Sequence, residues 1–139
     1  MAEHLLKEFD EFIDTWKDTG AEMKAVVVEL KEFLASMEGV SLSFKGRPGV
    51  SYSIRPRHHN QKGRDLFAMV DVIDDNPEER WLSICFYGDM ITDPDGAGDL
   101  VPGGLLGEDG YCFDLYESDE EEVAYLKNRL VEACRSASK

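Results

Sequence analysis

The chain has 139 residues, of which 42% are hydrophobic and 10% aromatic, and it carries a formal net charge of −14. This composition excludes a disordered chain, because it supplies enough apolar side chains for a core, and the length predicts one domain over residues 1–139. The acidic charge argues against nucleic-acid binding, since an acidic surface repels phosphate backbones.

The N-terminal residues, MAEHLLKEFDEF, are acidic and amphipathic, without the basic end and unbroken apolar run of a signal peptide. No window approaches the ~18 uncharged apolar residues of a membrane span. We therefore expect a cytoplasmic protein that does not contact the membrane.

Two helices are predicted first. Residues 3–17 carry apolar side chains at spacings of three and four, and a second stripe of this kind runs from Met23 to Met37. The run DTGAE interrupts the pattern at Gly20. So short a break predicts a helical hairpin or a kinked pair.

After Gly39 the hydrophobic period changes from 3.6 to 2. Apolar residues alternate with serines on both sides of the turn GRPG, which predicts a β-hairpin followed by a polar loop over 56–63. LFAMVDVI (66–73) and WLSICFY (81–87) are apolar on both faces, as central strands are. GYCFDLY (110–116) predicts a last strand. Ser118 and Glu121 then have the spacing of a capping box at the start of a C-terminal helix.

This order predicts an α+β domain: two N-terminal helices, a mostly antiparallel meander of about five strands, and a C-terminal helix packed on one face. The two-sided strand after a basic loop, and the ending SDEEEVAYLKNRLVEA, resemble small uncharacterised bacterial α+β domains of the YdhG-like type. The resemblance covers about residues 40–137. It implies the fold and brings no catalytic residues.

The basic charge is concentrated in one segment. Residues 39–64 hold six of the fifteen Lys and Arg and two of the three His, and no Asp or Glu. Arg55 and Arg57 alternate on a strand and should share a face, where guanidinium groups suit a phosphate or carboxylate. Otherwise the segment offsets the chain's own acidic helices or blunts a sheet edge. The residues predicted to bind a ligand are Arg55, Arg57, His58, His59, Lys62 and Arg64.

Nucleic acid is the weakest alternative for this segment, because only Tyr52 is placed to stack on a base. Metal binding by His58 and His59 is not expected either, since successive side chains on a strand diverge.

The residues between 88 and 110 form a Gly-rich acidic segment that we expect to be a long irregular loop, a lid or a partner surface. Asp93 and Asp95 begin like a calcium loop, but Ala97 and Gly104 stand where ligands are required. The apolar residues of the loop either cap the core or form an exposed contact patch: Leu100, Val101, Leu105 and Leu106.

Cys85, Cys112 and Cys134 lack the paired spacing of a zinc site. The first two lie in apolar strands, which favours buried, inert thiols. No nucleophile, metalloprotease or phosphate-loop motif is present, so we expect neither catalytic residues nor a cofactor.

Two functions remain. The first is a non-enzymatic protein-interaction module, as a homodimer or with another protein, that uses the sheet face or the Gly-rich loop, and whose acidic helices suit a basic partner. The alternative is a small-molecule binding domain that holds an anionic ligand at residues 52–64.

Overall fold

A computed structural model of the chain describes residues 2–16 and 22–139. It confirms the α+β class, with three helices, and with the C-terminal helix packed on one face of the sheet. The predicted break at Gly20 lies outside the described residues. The helices are α1 (Ala2–Thr15), α2 (Met23–Ala35) and α3 (Glu120–Ser138).

The sheet has six antiparallel strands: β1 (Val40–Arg47), β2 (Ser51–His58), β3 (Met69–Ile73), β4 (Trp81–Tyr87), β5 (Asp99–Leu105) and β6 (Glu108–Leu115). Their order in the sheet is β1-β2-β3-β4-β6-β5. Consecutive strands are neighbours from β1 to β4, which is the predicted meander, and the last hairpin adds β6 beside β4 and β5 at the edge. A 3₁₀ turn, Gly88–Met90, follows β4.

The core lies between the helices and one face of the sheet. Phe12 of α1 stacks on Tyr52 at 4.0 Å between ring centroids, and Phe9 meets Phe44 edge to face at 5.6 Å. The alternate residues of β3 and β4 that point the same way, such as Val70 and Ile84, are fully buried beneath α2 and α3. The centre of this face is therefore covered by the helices.

Part of the predicted long loop is a strand. Residues 99–105 form β5, which pairs with β6, and the register shifts between Val101 and Leu105. The glycines and Pro102 prevent this strand from being recognised in the sequence, because both residue types weaken strand patterns and mark irregularities. Gly98 precedes β5 in close contact with two rings. A Cβ there would lie 2.7 Å from Tyr111 and 2.8 Å from Phe113.

The C-terminal helix begins one residue later than the capping-box prediction. Asp119, not Ser118, is the N-cap, and its carboxylate accepts hydrogen bonds from the backbone amides of Glu121 and Glu122 at 2.9 and 3.2 Å. Carboxylates are favourable in this first turn because of the exposed amides and the helix dipole.

Candidate interaction surface

The opposite face of the sheet carries no helix of the described chain, and we call it the outer face. It consists of the alternate residues of β1, β2, β3, β4 and β6 that point away from the core. Three rows of directly opposed residues cross it: Arg47, Ser51, Ile73 and Trp81; then Lys45, Ser53, Asp71, Ser83 and Asp114; then Met69, Cys85 and Cys112.

One side of the outer face is basic. Lys45 and Arg47 of β1 and Arg55 and Arg57 of β2 share this side of the outer face, each directly opposite a serine of the neighbouring strand, and we call these four residues the basic strip. Two of the guanidinium groups lie over serines: Arg47 donates to the hydroxyl of Ser51 at 3.2 Å, and Arg55 donates to that of Ser53 at 3.1 Å. Each guanidinium has five N–H donors, so one such bond leaves donors available to a further acceptor.

Asp71 lies at the centre of the outer face. Its Oδ1 atom is buried and has no hydrogen-bond partner within the described residues. Burial raises the pKa of the Asp71 carboxyl above its ordinary value, and the Ser53 hydroxyl and the charges of Arg55 and Arg47 offset this only in part. The Asp71 carboxyl is therefore incompletely hydrogen-bonded at the centre of the outer face.

The other side of the outer face is aromatic. Trp81 is half-buried and stacks on Tyr116, with ring centroids 5.0 Å apart, and Tyr116 is 62% exposed. Ile73 lies beside Trp81 in the same row as Arg47. The period-two pattern of WLSICFY could have shown that Trp81, Ser83 and Cys85 share a face, but not that no helix of residues 2–16 and 22–139 covers this face.

The prediction of inert thiols in the strands is wrong for two cysteines. Cys85 and Cys112 are directly opposed on β4 and β6 and form a disulfide on the outer face. The disulfide could not be predicted from the sequence, because Cys85 and Cys112 are far apart in the chain and only the strand order brings them together. Cys134 on α3 is free, and burial raises the pKa of its thiol, which makes it a poor nucleophile.

The six residues predicted to bind a ligand do not converge. Arg55 and Arg57 both lie on the outer face, opposite Ser43 and Ser41, and Arg57 is 3.7 Å from the exposed carboxylate of Asp65. Lys62 is exposed in the loop that follows β2.

The guanidinium of Arg64 is already bound by two carboxylates of the chain. Its guanidinium donates to Glu108 at 2.8 Å and to Asp89 at 2.9 Å, and it stacks on the ring of Tyr87 at 3.9 Å. These hydrogen bonds, to Glu108 first and then to Asp89, raise the pKa of Arg64 far above its ordinary value. Arg64 therefore fixes its loop to the end of the sheet.

His58 and His59 lie closer together than expected, with ring centroids 4.7 Å apart. They do not diverge because β2 ends at His58 and His59 begins a turn. His58 is buried, its Nδ1 accepts from the amide of Asn60 at 3.1 Å, and a ring nitrogen of His59 lies 3.1 Å from the carbonyl of Gly39. Gly39 has φ +77°, and a Cβ there would lie 2.7 Å from both rings. The pair thus packs on the start of β1.

The Gly-rich segment is fixed to α3. Asp93 accepts hydrogen bonds from the amides of Ala97 and Gly98 at 3.1 and 3.0 Å and from the hydroxyl of Tyr125. Desolvation raises the pKa of Asp93, but these hydrogen bonds together outweigh it, so that the pKa lies below its ordinary value. Asp93, the first residue of the calcium-like pattern, therefore uses its carboxylate to close a turn.

The apolar residues of this segment divide into two groups. Leu105 is fully buried and caps the core, whereas Leu100, Val101 and Leu106 are exposed around β5. Leu105 thus confirms the expectation of core capping, and the contact patch formed by the other three residues stays a prediction.

No known family, curated protein or solved structure matches the chain. The YdhG-like assignment therefore stays a prediction. In the described part of the chain, no helix is long and apolar enough to cross a membrane, and no group of three or more His, Cys, Asp or Glu residues is arranged to hold a metal ion.

Proposed function

We propose that this chain is a non-enzymatic protein-interaction module whose outer face binds an acidic segment of another protein. The observation that carries the proposal is the composition of the outer face: arginines on one side and a stacked Trp81–Tyr116 pair on the other, with no helix among the described residues over them. Trp, Tyr and Arg are the residues that most often dominate binding energy at protein interfaces.

Charge complementarity determines the kind of partner. The basic strip is the main basic region of a chain with a net charge of −14, so the rest of the surface repels acidic molecules while the strip attracts them. An acidic segment on the strip would place its neighbouring apolar side chains near Ile73 and Trp81. This arrangement orients the partner, since only one side of the outer face is basic.

The size of the outer face indicates a transient contact. Five strands about 4.8 Å apart and about six residues in length span roughly 20 Å in each direction. The resulting area, roughly 400 Å² from these strand dimensions, is below the ~800 Å² that each partner contributes to a standard interface. We therefore expect micromolar affinity that decreases as salt increases.

The alternative is a small anionic ligand at residues 52–64. The dispersal of the predicted ligand residues argues against it, because Arg64 is held by two carboxylates and His58 is buried against Gly39. Arg55 and Arg57 remain available for it on the outer face.

An amide chemical-shift titration separates the two functions. The probe is a peptide of six glutamates, compared with citrate and phosphate. We expect saturable shifts from the peptide at the basic strip and at the Trp81 indole, and only weak, unsaturated shifts from the small anions. The double variant Arg47→Gln with Arg55→Gln should weaken peptide binding by roughly tenfold, since hydrogen bonds to charged groups contribute about 1.5–3 kcal/mol.

Lys7→Gln is the matched control, because Lys7 is exposed on α1, away from the outer face. It should leave the affinity unchanged. Saturable binding of citrate with the same shift pattern would favour the small-ligand alternative. Concentration-dependent sedimentation that is lost in the double variant would show that a second copy of the chain occupies the outer face instead. The cytoplasmic location remains a proposal, and a disulfide of this kind is more common in oxidising compartments.

A further inference from the structure

A pocket lies at the opposite end of the sheet from the basic strip. It has a volume of about 220 Å³ and is bounded by the end of β6, the segment 95–97 and the first turns of α3. Its apolar wall is formed by Phe113, Leu115, Tyr125 and Leu126. Drug-sized ligands occupy pockets of about 300–1,000 Å³, so this pocket fits a single long side chain better than a small molecule.

The rim of the pocket is acidic. Asp95, Glu121 and Glu122 line it, and none of the lining side chains in the described part of the chain is basic. Asp114 also borders the pocket, but its side chain belongs to the outer face. Three carboxylates beside an apolar and aromatic wall suit a side chain with an aliphatic stem and a cationic head. Lys and Arg have this form, because their methylene groups pack on apolar surface while the charge stays at the opening.

The pocket is held in shape before any ligand binds. The hydroxyl of Tyr125 donates to Asp93 and accepts from the amide of Asp95 at 3.1 Å, which ties the loop to α3. The carboxylate of Glu132 accepts from the hydroxyl and the amide of Thr92 farther along the same helix. A preformed pocket loses little conformational entropy on binding.

The pocket adjoins an open strand edge. β5 pairs with β6 only as far as Asp99, opposite Cys112, whereas β6 continues to Leu115 with β4 as its partner on the other side. Residues 113–115 therefore form an edge to which an extended segment can add as a strand in line with β5.

We propose that this pocket and the edge of β6 at residues 113–115 bind an extended segment of a partner protein that inserts a Lys or Arg side chain. Backbone pairing with β6 supplies the alignment, and the acidic rim selects the cation. The site is separate from the outer face and has the opposite charge, so either proposal can fail without the other.

The test is a chemical-shift titration with a capped peptide, Thr-Val-Arg-Val-Thr, at low and moderate salt. We expect saturable shifts at the amides of residues 95–97 and 113–115. Two matched peptides separate the contributions: citrulline in place of arginine removes the charge, and an N-methylated valine after the arginine removes a backbone donor. Both should bind more weakly.

The variant Glu121→Gln with Glu122→Gln should weaken binding of the arginine peptide about three- to tenfold, because each exposed charge pair contributes modestly. Glu120→Gln is the matched control. It removes an equivalent charge from the first turn of α3 at a residue outside the pocket, and should leave the affinity unchanged. Equal binding of the citrulline peptide would overturn the proposal, as would unsaturated shifts spread over the acidic surface. The double variant of the basic strip, Arg47→Gln with Arg55→Gln, should bind this peptide normally.

Discussion

Asp74 and Arg80 form a buried ion pair that fixes two turns of the sheet. Asp74 Oδ1 lies 2.7 Å from Arg80 Nε, and the side chains are only 4% and 11% exposed. The second carboxylate oxygen accepts from the amide of Gly49 at 2.9 Å, so the pair connects the β1–β2 turn with the β3–β4 turn. The Arg80 guanidinium also lies 5.2–5.5 Å from the rings of Phe12, Trp16 and Tyr52.

Asp74→Ala should therefore destabilise the protein by about 3–5 kcal/mol, because it leaves the Arg80 charge buried without a partner. Urea unfolding at neutral pH measures the change. The adjacent Asp75 is exposed, and Asp75→Ala should alter the free energy of unfolding by no more than about 0.5 kcal/mol. Similar losses for both variants would show that the ion pair has no special role.

The fold was predictable where a hydrophobic period extends over several residues. The α2 stripe and the alternating serines of β1 and β2 indicate their elements directly, and the two-sided apolar runs identify β3 and β4 as central. β5 was not predictable, because Pro102, Gly103 and Gly104 remove the alternation that marks a strand.

The surfaces were less predictable than the fold. Sequence proximity grouped Arg64 with Arg55, but the carboxylates that bind Arg64 come from Asp89 and Glu108, which are distant in the chain. Trp81 and Tyr116 likewise meet only because β4 and β6 are neighbours. Contacts of this kind depend on strand order, which a single sequence determines only indirectly.

The Cys85–Cys112 disulfide should contribute to stability. It joins residues 27 positions apart, and closing a loop of this length in the unfolded chain contributes roughly 3.5 kcal/mol. Cys85→Ser with Cys112→Ser, or a reducing agent on the unaltered protein, should lower the urea midpoint accordingly. Mass spectrometry should show the loss of two hydrogen atoms in the unreduced protein.

Cys134→Ser is the control for this experiment, since Cys134 takes no part in the disulfide. Its urea midpoint should remain as sensitive to reduction as that of the unaltered protein. A midpoint of the unaltered protein that does not respond to the reducing agent would contradict a stabilising disulfide.

Asp71 should lower stability at neutral pH. Burial raises the pKa of its carboxyl in the native state above the ordinary value of 3.8, so the native state binds more protons than the unfolded chain between the two pKa values. The free energy of unfolding contributed by this group therefore falls as the pH rises through that window.

Asp71→Asn should be more stable than the unaltered protein at pH 7, and the difference should disappear below pH 3.8, where the carboxyl is protonated in both states. Urea unfolding across this pH range gives the comparison. Asp114→Asn lies in the same row but is exposed, and should change stability by no more than about 0.5 kcal/mol. If the difference in free energy of unfolding between Asp71→Asn and the unaltered protein does not change with pH, ionisation of Asp71 is not its cause.

Tyr125 should control the order of the Gly-rich segment. Its hydroxyl donates to Asp93, which in turn accepts from the amides of Ala97 and Gly98, so that Tyr125→Phe removes one support of this turn. We expect a loss of about 1 kcal/mol and faster hydrogen exchange at the Ala97 and Gly98 amides, because local opening becomes easier. Tyr116→Phe, at a residue 62% exposed whose ring stacks on Trp81, should leave both exchange rates unchanged. If exchange at Ala97 and Gly98 is the same in both variants, the hydroxyl of Tyr125 does not hold the segment against α3, and the pocket beside it is not preformed.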